Sequence, residues 1–598
     1  MTRRGPGRAR PVGGLPDCLP ATFSTVRYGQ RHLVPERHVM SSIAAALRPV
    51  TRTARVAAYQ VRQRWRRRPR PVAGVQFDRG VPVAMRDGVR LMVNVFRPAQ
   101  GGRHPVVLSV SPYGKDEIPE DYGLFRALGM EPGPIRTSDY AAFEAPDPGF
   151  WVPFGYVVVH ADVRGMWRSE GRATWLSPQD AEDYFDLIEW AAAQPWSTGR
   201  VGLCGVSYLA MSQWAVAPLR PPHLAAIMPW EGVSDMYREM AFHGGMRETG
   251  FVPSFYRQRV RAHHNPAFPL GEDLLDQIQR HPLDDEYWAS RRPDLASITV
   301  PALVCASWSD QGLHTRGSLE GFVRIASEHK WLYTHGRRKW ETFYGDEARR
   351  TQRQFFDCFL KGSDSGMLDV PRVRLEVRRD SSTQAVRGEP GWPPRGTTAR
   401  RFNLDAGRGL LAEAPVTEEA SVAYASSARA RDPNRATFVL RLDRDTEVTG
   451  AMRLRLWIAA EEADDADLFV GIEKLDPAGT AVGFSGYNFL PDDVVAKGWL
   501  RLSHRELDEA RSTETRPWHT HRRLQKARPG QLVAAEVEIL PSSTLFEAGS
   551  SLRLVVQGHE LRDYPSFGHT DSVNRGPHRL FTGGRYDSFL VVPVIESS

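Results

Sequence analysis

The chain has 598 residues, of which 41% are hydrophobic and 25% charged, the composition of an ordinary globular protein. Its length suits roughly three or four domains of about 150 residues each. No run of about 18 apolar residues occurs, and no apolar stretch of signal-peptide length follows the arginine-rich start, so we expect neither a membrane-spanning helix nor a signal peptide.

The basic charge is concentrated at the start of the chain. Residues 1–72 contain sixteen arginines against two acidic residues and carry +14, whereas the rest of the chain carries −7. We expect residues 1–72 to be a basic, disordered extension or upstream sequence from a misplaced start, with Met40 a candidate start; the alternative is a basic helix near 41–68 that lies on an anionic surface. Membrane contact by this tail is not expected, nor is nucleic acid as a partner, because charge alone favours them.

Strands and helices alternate between residues 73 and 235. Apolar runs such as "HPVVLSVSPYG", "GYVVVHADVRG" and "RVGLCGVS" predict buried strands. The segment "SPQDAEDYFDLIEWAAAQ" predicts a helix that Ser177 caps. This alternation is typical of a parallel sheet with helices on both faces.

The alternation is interrupted at residues 236–293 and returns at 294–368. Three segments of the interruption, "DMYREMAFHGG", "YRQRVRAHHN" and "GEDLLDQIQRHP", predict helices with no strand between them. They indicate a helical insertion over the sheet. "VPALVCASWSD" and "HKWLYTHG" then predict two more strands. From 369 to 598, short strands with period-2 alternation predict an antiparallel β-sandwich.

The cysteine and histidine patterns argue against a metal site. The four cysteines form no CxxC pair, and the histidines of "AHHN" and "HTH" lack further ligands beside them. We expect a reduced, cytoplasmic protein with no disulfide framework, no metal and no cofactor.

One serine lies between a predicted strand and a predicted helix, in "RVGLCGVSYLAMSQW". Hydrolases present a nucleophile at such a turn, usually as Gly-x-Ser-x-Gly. Ser207 is therefore the candidate nucleophile, although the second glycine is missing and Ala210 supplies the nearest small residue. The backbone amide of Tyr208 would point at the oxyanion, and the hydroxyl of Tyr113, in a loop after a strand, would be a second donor.

The acid and the base of such a triad come later in the chain and follow strands. Asp310 follows the strand in "ALVCASWSDQG", and His335 follows the next one in "KWLYTHGRRKW". His314 and His329 are the competing histidines. The first is close to the turn that holds Asp310, and the second precedes its strand, so we predict Ser207, Asp310 and His335 as the triad.

Four further residues near strand ends are candidate walls of a substrate pocket, namely Trp230, Glu231, Trp308 and Trp340. Tryptophans at such places are also common core residues. Glu231 would bind a substrate amine or, equally, form a structural salt bridge.

Several blocks of the sequence resemble the CocE/NonD hydrolases, which are relatives of the X-Pro dipeptidyl peptidases and the α-amino-acid ester hydrolases. The blocks include "ADVRGMWRSEG", "GVSYLA", "PWEGVSD", "FFDCFLKG" and "PGQLVAAEVEILPSSTLFEAGSSLRLVV", and the resemblance spans residues 75–595. The family's nucleophile motif is Gly-x-Ser-Tyr-x-Gly, from which this chain departs only at Ala210.

The resemblance implies a fold: an α/β-hydrolase domain (73–235 and 294–368) with a helical cap (236–293), followed by a C-terminal jelly-roll β-sandwich (369–598). It also implies roles for the residues named above, namely Ser207 as nucleophile, Asp310 as acid, His335 as base, and Tyr113 with the Tyr208 amide as oxyanion hole. The histidine motif departs from the family, because only Thr-His-Gly of Gly-Pro-Trp-Ser/Thr-His-Gly is present around His335.

The function that this resemblance implies is hydrolysis of an ester or amide bond through an acyl-enzyme. An X-Pro dipeptidyl-peptidase activity is the alternative within hydrolases, and a non-catalytic binding protein that kept the fold is the alternative of another class. The expected partner is a small-molecule ester or amide. The sequence leaves open whether the protein is a homo-oligomer.

Overall fold

The computed structural model describes residues 70–116, 133–427, 434–487, 492–562 and 567–596. The expectation of a basic extension at 1–72 lies almost entirely outside these ranges. Within them, no helix combines the length and the apolar character needed to cross a membrane.

The first part of the described chain is built on a mixed, mostly parallel sheet. The strands up to residue 335 are β1 (Val75–Ala84), β2 (Arg90–Pro98), β3 (His104–Ser111), β4 (Val157–Asp162), β5 (Ser197–Val206), β6 (Leu224–Trp230), β7 (Phe242–His243), β8 (Met246–Arg247), β9 (Ala302–Ser307) and β10 (Lys330–His335). Eight of them form one sheet in the order β1-β2-β4-β3-β5-β6-β9-β10, in which β2 is antiparallel to both neighbours and the strands from β4 to β10 are parallel. The loops that follow β3, β5, β6, β9 and β10 therefore meet at one edge of the sheet.

Helices cover this sheet and connect its strands. Their bounds are α1 (Pro148–Trp151), α2 (Pro178–Ala192), α3 (Tyr208–Val216), α4 (Phe251–Phe255), α5 (Leu274–Arg280), α6 (Glu286–Ala289), α7 (Thr315–Arg324), α8 (Lys339–Phe343) and α9 (Asp346–Lys361). The predicted cap of α2 is confirmed, because Ser177 and Asp180 form a reciprocal capping box. Its apolar face, which includes Tyr184, Leu187 and Ile188, is buried against the sheet.

The insertion at 236–293 differs from the sequence prediction in one respect. It contains α4, α5 and α6 and two π-helical turns, but also a two-stranded ribbon of β7 and β8 where we predicted no strand. Gly244 and Gly245 form the turn of this ribbon with positive φ angles of 56° and 85°. A Gly-Gly pair is a known signal for such a hairpin turn, and the helical interpretation of "DMYREMAFHGG" overlooked it.

The second part of the chain is all β. Its strands are β11 (Val373–Arg378), β12 (Gln384–Glu389), β13 (Thr397–Asp405), β14 (Leu410–Ala412), β15 (Ala420–Ala425), β16 (Ala436–Arg441), β17 (Thr446–Ala460), β18 (Asp467–Leu475), β19 (Ala481–Val482), β20 (Ala496–Arg501), β21 (Val533–Phe546), β22 (Ser551–Gln557), β23 (Pro577–Thr582) and β24 (Phe589–Glu596). The long strand β17 pairs antiparallel with β21, β23 and β24, and alternate residues along it enter a second hydrophobic core. Strand β11 pairs parallel with β10 and so joins this part to the first sheet.

A buried ion pair ties the loop after β4 to helix α2. The guanidinium of Arg164 donates from Nε to Asp183 Oδ2 at 2.7 Å and from a terminal nitrogen to Oδ1 at 2.5 Å, and both side chains are less than a tenth exposed. Arg164 also reaches the carboxylate of Asp87, in the turn between β1 and β2. Three segments of the first domain therefore meet at one cation.

We expect Arg164→Met to lower the free energy of unfolding by about 3–5 kcal/mol, because it leaves the carboxylate of Asp183 buried without its partner. The double variant Arg164→Met/Asp183→Leu should recover most of the loss, since it removes both charges. Urea denaturation of the two variants and the wild type measures this. A double variant no more stable than the single one would contradict it.

Candidate active site

Ser207 lies on a strained turn between β5 and α3. Its φ and ψ are 61° and −118°, a backbone conformation that side-chain-bearing residues seldom adopt. Gly205, with φ of 155°, allows the turn, because a Cβ there would lie 2.5 Å from Leu209 Cβ. The predicted strand–turn–helix context of Ser207 is thus confirmed.

The second glycine of the motif is missing, but Gly232, in the loop that follows β6, provides the small residue at the same contact. A Cβ added at Gly232, just after β6, would lie 2.8 Å from Ala210 Cβ. The helix that starts at Tyr208 can therefore approach the sheet closely although it carries Ala210. Close approach requires one small surface at the contact, and here the loop supplies it.

Two hydrogen-bond donors converge beside Ser207. The hydroxyl of Tyr113 lies close to the side chain of Ser207 and to the backbone amide of Tyr208, and both lower its pKa. Its ring packs edge-on against Phe143 and Phe255, with centroids 5.2 and 5.5 Å away. Burial raises the pKa of Tyr113 well above its usual value, so its hydroxyl keeps the proton that an oxyanion would accept.

The histidine in contact with Ser207 is His314. Its Nε2 lies 3.1 Å from Ser207 Oγ, and its Nδ1 hydrogen-bonds to Asp310 Oδ2. The loop after β9 folds back so that the amides of Leu313 and His314 both donate to the carbonyl of Asp310. This tight turn brings side chains four residues apart together, which is why closeness in sequence was a wrong reason to set His314 aside.

His335 does not contact Ser207, so the predicted position of the base is corrected. It is still part of β10, three strands from β5, a separation of roughly 14 Å. It is completely buried; its Nε2 donates to Glu231 Oε1 at 3.0 Å, and its Nδ1 accepts from the amide of Arg337. Burial lowers the pKa of His335 to about 3, so the ring is neutral.

Lys339 balances the charge of the predicted acid. Its Nζ lies 2.6 Å from Asp310 Oδ2 and 2.9 Å from His314 Nδ1. Burial alone would raise the pKa of Asp310, but His314 and Lys339 outweigh it and hold that pKa below its usual value. Burial, aided by Lys339, lowers the pKa of His314 despite the opposing charge of Asp310. The histidine is therefore neutral near pH 7, the form that can accept a proton.

The predicted pocket residues separate into two groups. Trp230 and Trp308 are interior packing residues: the first contacts Tyr333, and the indole of the second donates to the carbonyl of Glu376. Glu231 and Trp340, in contrast, line a small cavity of about 20 Å³ beside the triad. Glu231 has no exposed surface and is bonded to His335, so the predicted role in binding a substrate amine is not supported.

Sequence reasoning also missed Tyr487, which lines this cavity, and Glu144, which is bonded to Trp340 in the cavity wall. Tyr487 comes from the all-β part of the chain that begins at β11 (the β-domain), and its ring centroid lies 5.2 Å from Lys339 Nζ. Burial, followed by the charges of Asp310 and Glu144, raises the pKa of Tyr487 well above the usual value. Glu144 accepts from the indole of Trp340 at 2.9 Å, and burial raises its pKa to about 8. Neither residue lies in a motif, so no local signal identified them.

The loop that carries Asp310 and His314 is held from outside the first sheet. Gln311 donates to the carbonyls of Val495 and Pro541 and accepts from the amide of Lys497, all in the β-domain. These bonds tie the loop to the all-β part of the chain, which therefore helps to position Asp310 and His314.

Three hydrogen-bonded side chains, from His243 to Glu560, hold the same loop at Gly312. His243 Nε2 donates to the carbonyl of Gly312 at 2.6 Å, His569 lies 3.0 Å from His243 Nδ1, and Glu560 lies 2.5 Å from His569 Nδ1. Burial alone would lower the pKa of His569, but Glu560 raises it above the usual value. A protonated His569 donates from Nδ1 to Glu560 and from Nε2 to Nδ1 of His243. His243 then carries its own proton on Nε2, from which it donates to the carbonyl of Gly312.

Two buried groups among the described residues offer three metal-ligand atoms within 4.8 Å of one another. The first is Glu231, Cys305 and His335, and the second is Glu231, Asp310 and His314. Each group contains a hydrogen-bonded carboxyl–histidine pair. A metal ion would therefore have to displace bonds that already satisfy these side chains.

Comparison with known proteins gives two family matches. Residues 87–337 match the X-Pro dipeptidyl-peptidase (S15 family) model, and residues 365–591 match the X-Pro dipeptidyl-peptidase C-terminal non-catalytic domain. Cocaine esterase of Rhodococcus sp. (strain MB1 Bresler) is 25% identical over 86% of this chain and 98% of its own length.

Solved structures give a similar result. A CocE/NonD family hydrolase from Staphylococcus aureus is 43% identical, with a TM-score of 0.83 over 87% of this chain and 93% of that one. An α-amino acid ester hydrolase is 17% identical, with a TM-score of 0.68 over 89% of this chain and 98% of that one, and this likeness concerns the fold alone.

We expect Lys339→Met to move the acid limb of the pH–rate profile to higher pH by about one unit, because the pKa of His314 rises when the neighbouring cation is removed and the neutral ring is lost earlier. The measurement is kcat/KM for a p-nitrophenyl ester across the acid range. Arg338→Met is the matched control, since Arg338 pairs with Glu341 at the surface. An unshifted limb in folded Lys339→Met would contradict the role of this lysine.

Proposed function

This chain belongs to the CocE/NonD family of serine hydrolases, and from that premise we propose that Ser207, His314 and Asp310 are its catalytic triad. The proposal rests on one observation: a continuous line of contacts runs from Ser207 Oγ through both nitrogens of His314 to the carboxylate of Asp310. The order of the three residues along the chain is serine, acid, histidine, as in other hydrolases built on this kind of sheet.

The proposed reaction is acyl transfer in two steps. His314 Nε2 takes the proton of Ser207 as its oxygen attacks the carbonyl carbon of an ester or amide, and then gives that proton to the leaving group. Water, deprotonated by the same nitrogen, then attacks the acyl-enzyme and releases the acid, with the serine proton restored. Asp310 keeps the proton of His314 on Nδ1 and stabilises the imidazolium that forms in each step.

The oxyanion of both steps would bind to the hydroxyl of Tyr113 and the amide of Tyr208. These two donors lie close to each other beside Ser207. Loss of one such donor costs about 10²–10³ in rate in other hydrolases. The raised pKa of Tyr113 supports this role, because a protonated hydroxyl is needed.

We propose the domain division expected from the sequence: an α/β-hydrolase domain (73–235 and 294–368), a helical cap (236–293) and a jelly-roll sandwich (369–598). The strand order β1-β2-β4-β3-β5-β6-β9-β10 supports the first assignment. The antiparallel pairing of the long strands β17 and β21 supports a sandwich for the last.

The proposed substrate is a small ester or amide. An X-Pro dipeptidyl-peptidase activity remains the second candidate because both family models carry that description. It would need a carboxylate for the substrate's amino group, and Glu231 is already bonded to His335. The free thiols of Cys204, Cys305 and Cys358 support the cytoplasmic location expected from the sequence.

We expect a fluorophosphonate probe to add once to the wild-type protein, at Ser207, and not to Ser207→Ala. His314→Gln should slow labelling by about 10³-fold or more, because it removes the base. Labelling followed by intact-mass spectrometry measures both.

The matched control is His335→Gln, which keeps a donor for Glu231 and should label at close to the wild-type rate. If His335→Gln abolished labelling and His314→Gln did not, the assignment of the base would be wrong. If folded wild-type protein took up no probe, the alternative of a non-catalytic binding protein would be favoured.

A further inference from the structure

Glu231 is the buried acid that the proposed mechanism does not use. It follows β6 directly, with a positive φ of 51°, and it has no exposed surface. Its backbone amide donates to the carbonyl of Cys305 on β9, and its own carbonyl accepts from the amide of Ser207. The chain is thus held, at the cost of backbone strain, where β5, β6 and β9 end.

One oxygen of the Glu231 carboxyl is occupied by a histidine. Oε1 accepts from Nε2 of His335 at 3.0 Å. The tautomer of that ring is set by the amide of Arg337, which donates to Nδ1 and so leaves the proton on Nε2. His335 therefore orients the carboxyl group of Glu231 through Oε1, and Oε2 is left for another partner.

The carboxyl group of Glu231 lies next to the acid of the proposed triad. Glu231 Oε2 and Asp310 Oδ1 are both buried, and neither has a donor among the described residues. A carboxyl oxygen of Glu231 lies within 4.8 Å of one of Asp310, so a hydrogen bond between the two groups would satisfy both. Two carboxylate oxygens can form that bond only if one of them carries a proton, since an ionised carboxylate can only accept.

The surrounding charges decide which carboxyl is protonated. Lys339 is the nearest cation, with its Nζ 2.6 Å from Asp310 Oδ2 and 3.9 Å from Glu231 Oε2. Asp310 also receives the proton of His314, so it is the better stabilised anion. Burial raises the pKa of Glu231 to about 8, which is consistent with a neutral carboxyl.

We propose that Glu231 is a positioning residue, protonated at neutral pH, that donates its carboxyl hydrogen to Asp310 Oδ1. This inference rests on the proposed function and deepens it. The bond leaves Oδ2 of Asp310 for His314 and Lys339, and so fixes the plane of the carboxylate against the imidazole. His335 acts one step further away, by orienting Glu231.

A dependence on alkaline pH follows from this arrangement. Loss of the Glu231 proton would place a second negative charge against Asp310 and break the bond between them. The titratable groups that face Glu231 come from every element around it, namely Cys305 (β9), Asp310 and His314 (the loop after β9), His335 (β10), Lys339 (α8), Glu144 (before α1) and Tyr487 (the β-domain). Of these, Glu144 is the other carboxyl whose pKa burial raises to about 8.

The test compares fluorophosphonate labelling rates of wild type, Glu231→Gln and Glu231→Leu between about pH 6 and about pH 9. Glutamine mimics the protonated acid, because it can accept from His335 and donate to Asp310. Near pH 7 we expect Glu231→Gln to label within about threefold of wild type and Glu231→Leu to label about tenfold more slowly or worse, because it leaves Asp310 Oδ1 and His335 Nε2 without partners.

Near pH 9 the wild type should label about tenfold more slowly than at its plateau, whereas Glu231→Gln should keep its plateau rate. Glu144→Gln is the matched control and should keep the wild-type decline. The proposal is overturned if Glu231→Gln keeps the decline, if Glu144→Gln removes it, or if Glu231→Leu matches Glu231→Gln at neutral pH.

Thermal unfolding provides a readout that does not require catalysis. A carboxyl whose pKa is higher in the folded than in the unfolded protein stabilises the fold at low pH, and this stabilisation is lost as the pH rises from about 4.5 to about 8. Wild type should therefore lose more Tm across this window than Glu231→Gln. If wild type and Glu231→Gln lost the same Tm, Glu231 would not be protonated and the proposal would be refuted. If the expected Tm difference were seen but the wild type took up no probe, only the proposed function would be refuted.

Discussion

The carboxylate of Asp310 is the buried charge on which the rest of the site depends. An anion out of contact with water is costly unless cations and hydrogen-bond donors surround it. Here His314 and Lys339 share one of its oxygens, and a carboxyl oxygen of Glu231 lies within 4.8 Å of the Asp310 carboxylate. Each partner comes from the end of a different element of the sheet, so the parallel arrangement of β6, β9 and β10 is what lets them meet.

The β-domain takes part in the same arrangement. The loop that presents Asp310 and His314 is bonded through Gln311 to strands of that domain, and Tyr487 reaches from it to the triad. The all-β part of the chain thus fixes the loop that carries Asp310 and His314. The proposed chemistry therefore depends on both parts of the chain, because the loop that carries Asp310 and His314 would lose these hydrogen bonds without the all-β part.

Much of the fold was predictable because its signals are local. Buried parallel strands are continuous apolar runs, the capping box of α2 is a four-residue pattern, and the position of Ser207 follows from a strand and a helix that adjoin it. The ribbon of β7 and β8 was missed although its Gly-Gly turn is also a local signal. Amphipathic residues on either side were taken for one helix, since short strands and helices share such patterns.

The amino-acid sequence by itself determined which apolar segments form strands and in what order they follow along the chain. It also determined the turn at Ser207, the acid after β9 and the resemblance to a hydrolase family. Only the tertiary structure decided which histidine meets the serine. Distance along the chain favoured His335, but His335 remains inside β10, whereas the turn at 310–314 folds His314 back over β6. Contacts between strand-end loops depend on where each chain segment leaves the sheet, and no periodicity in the sequence records that.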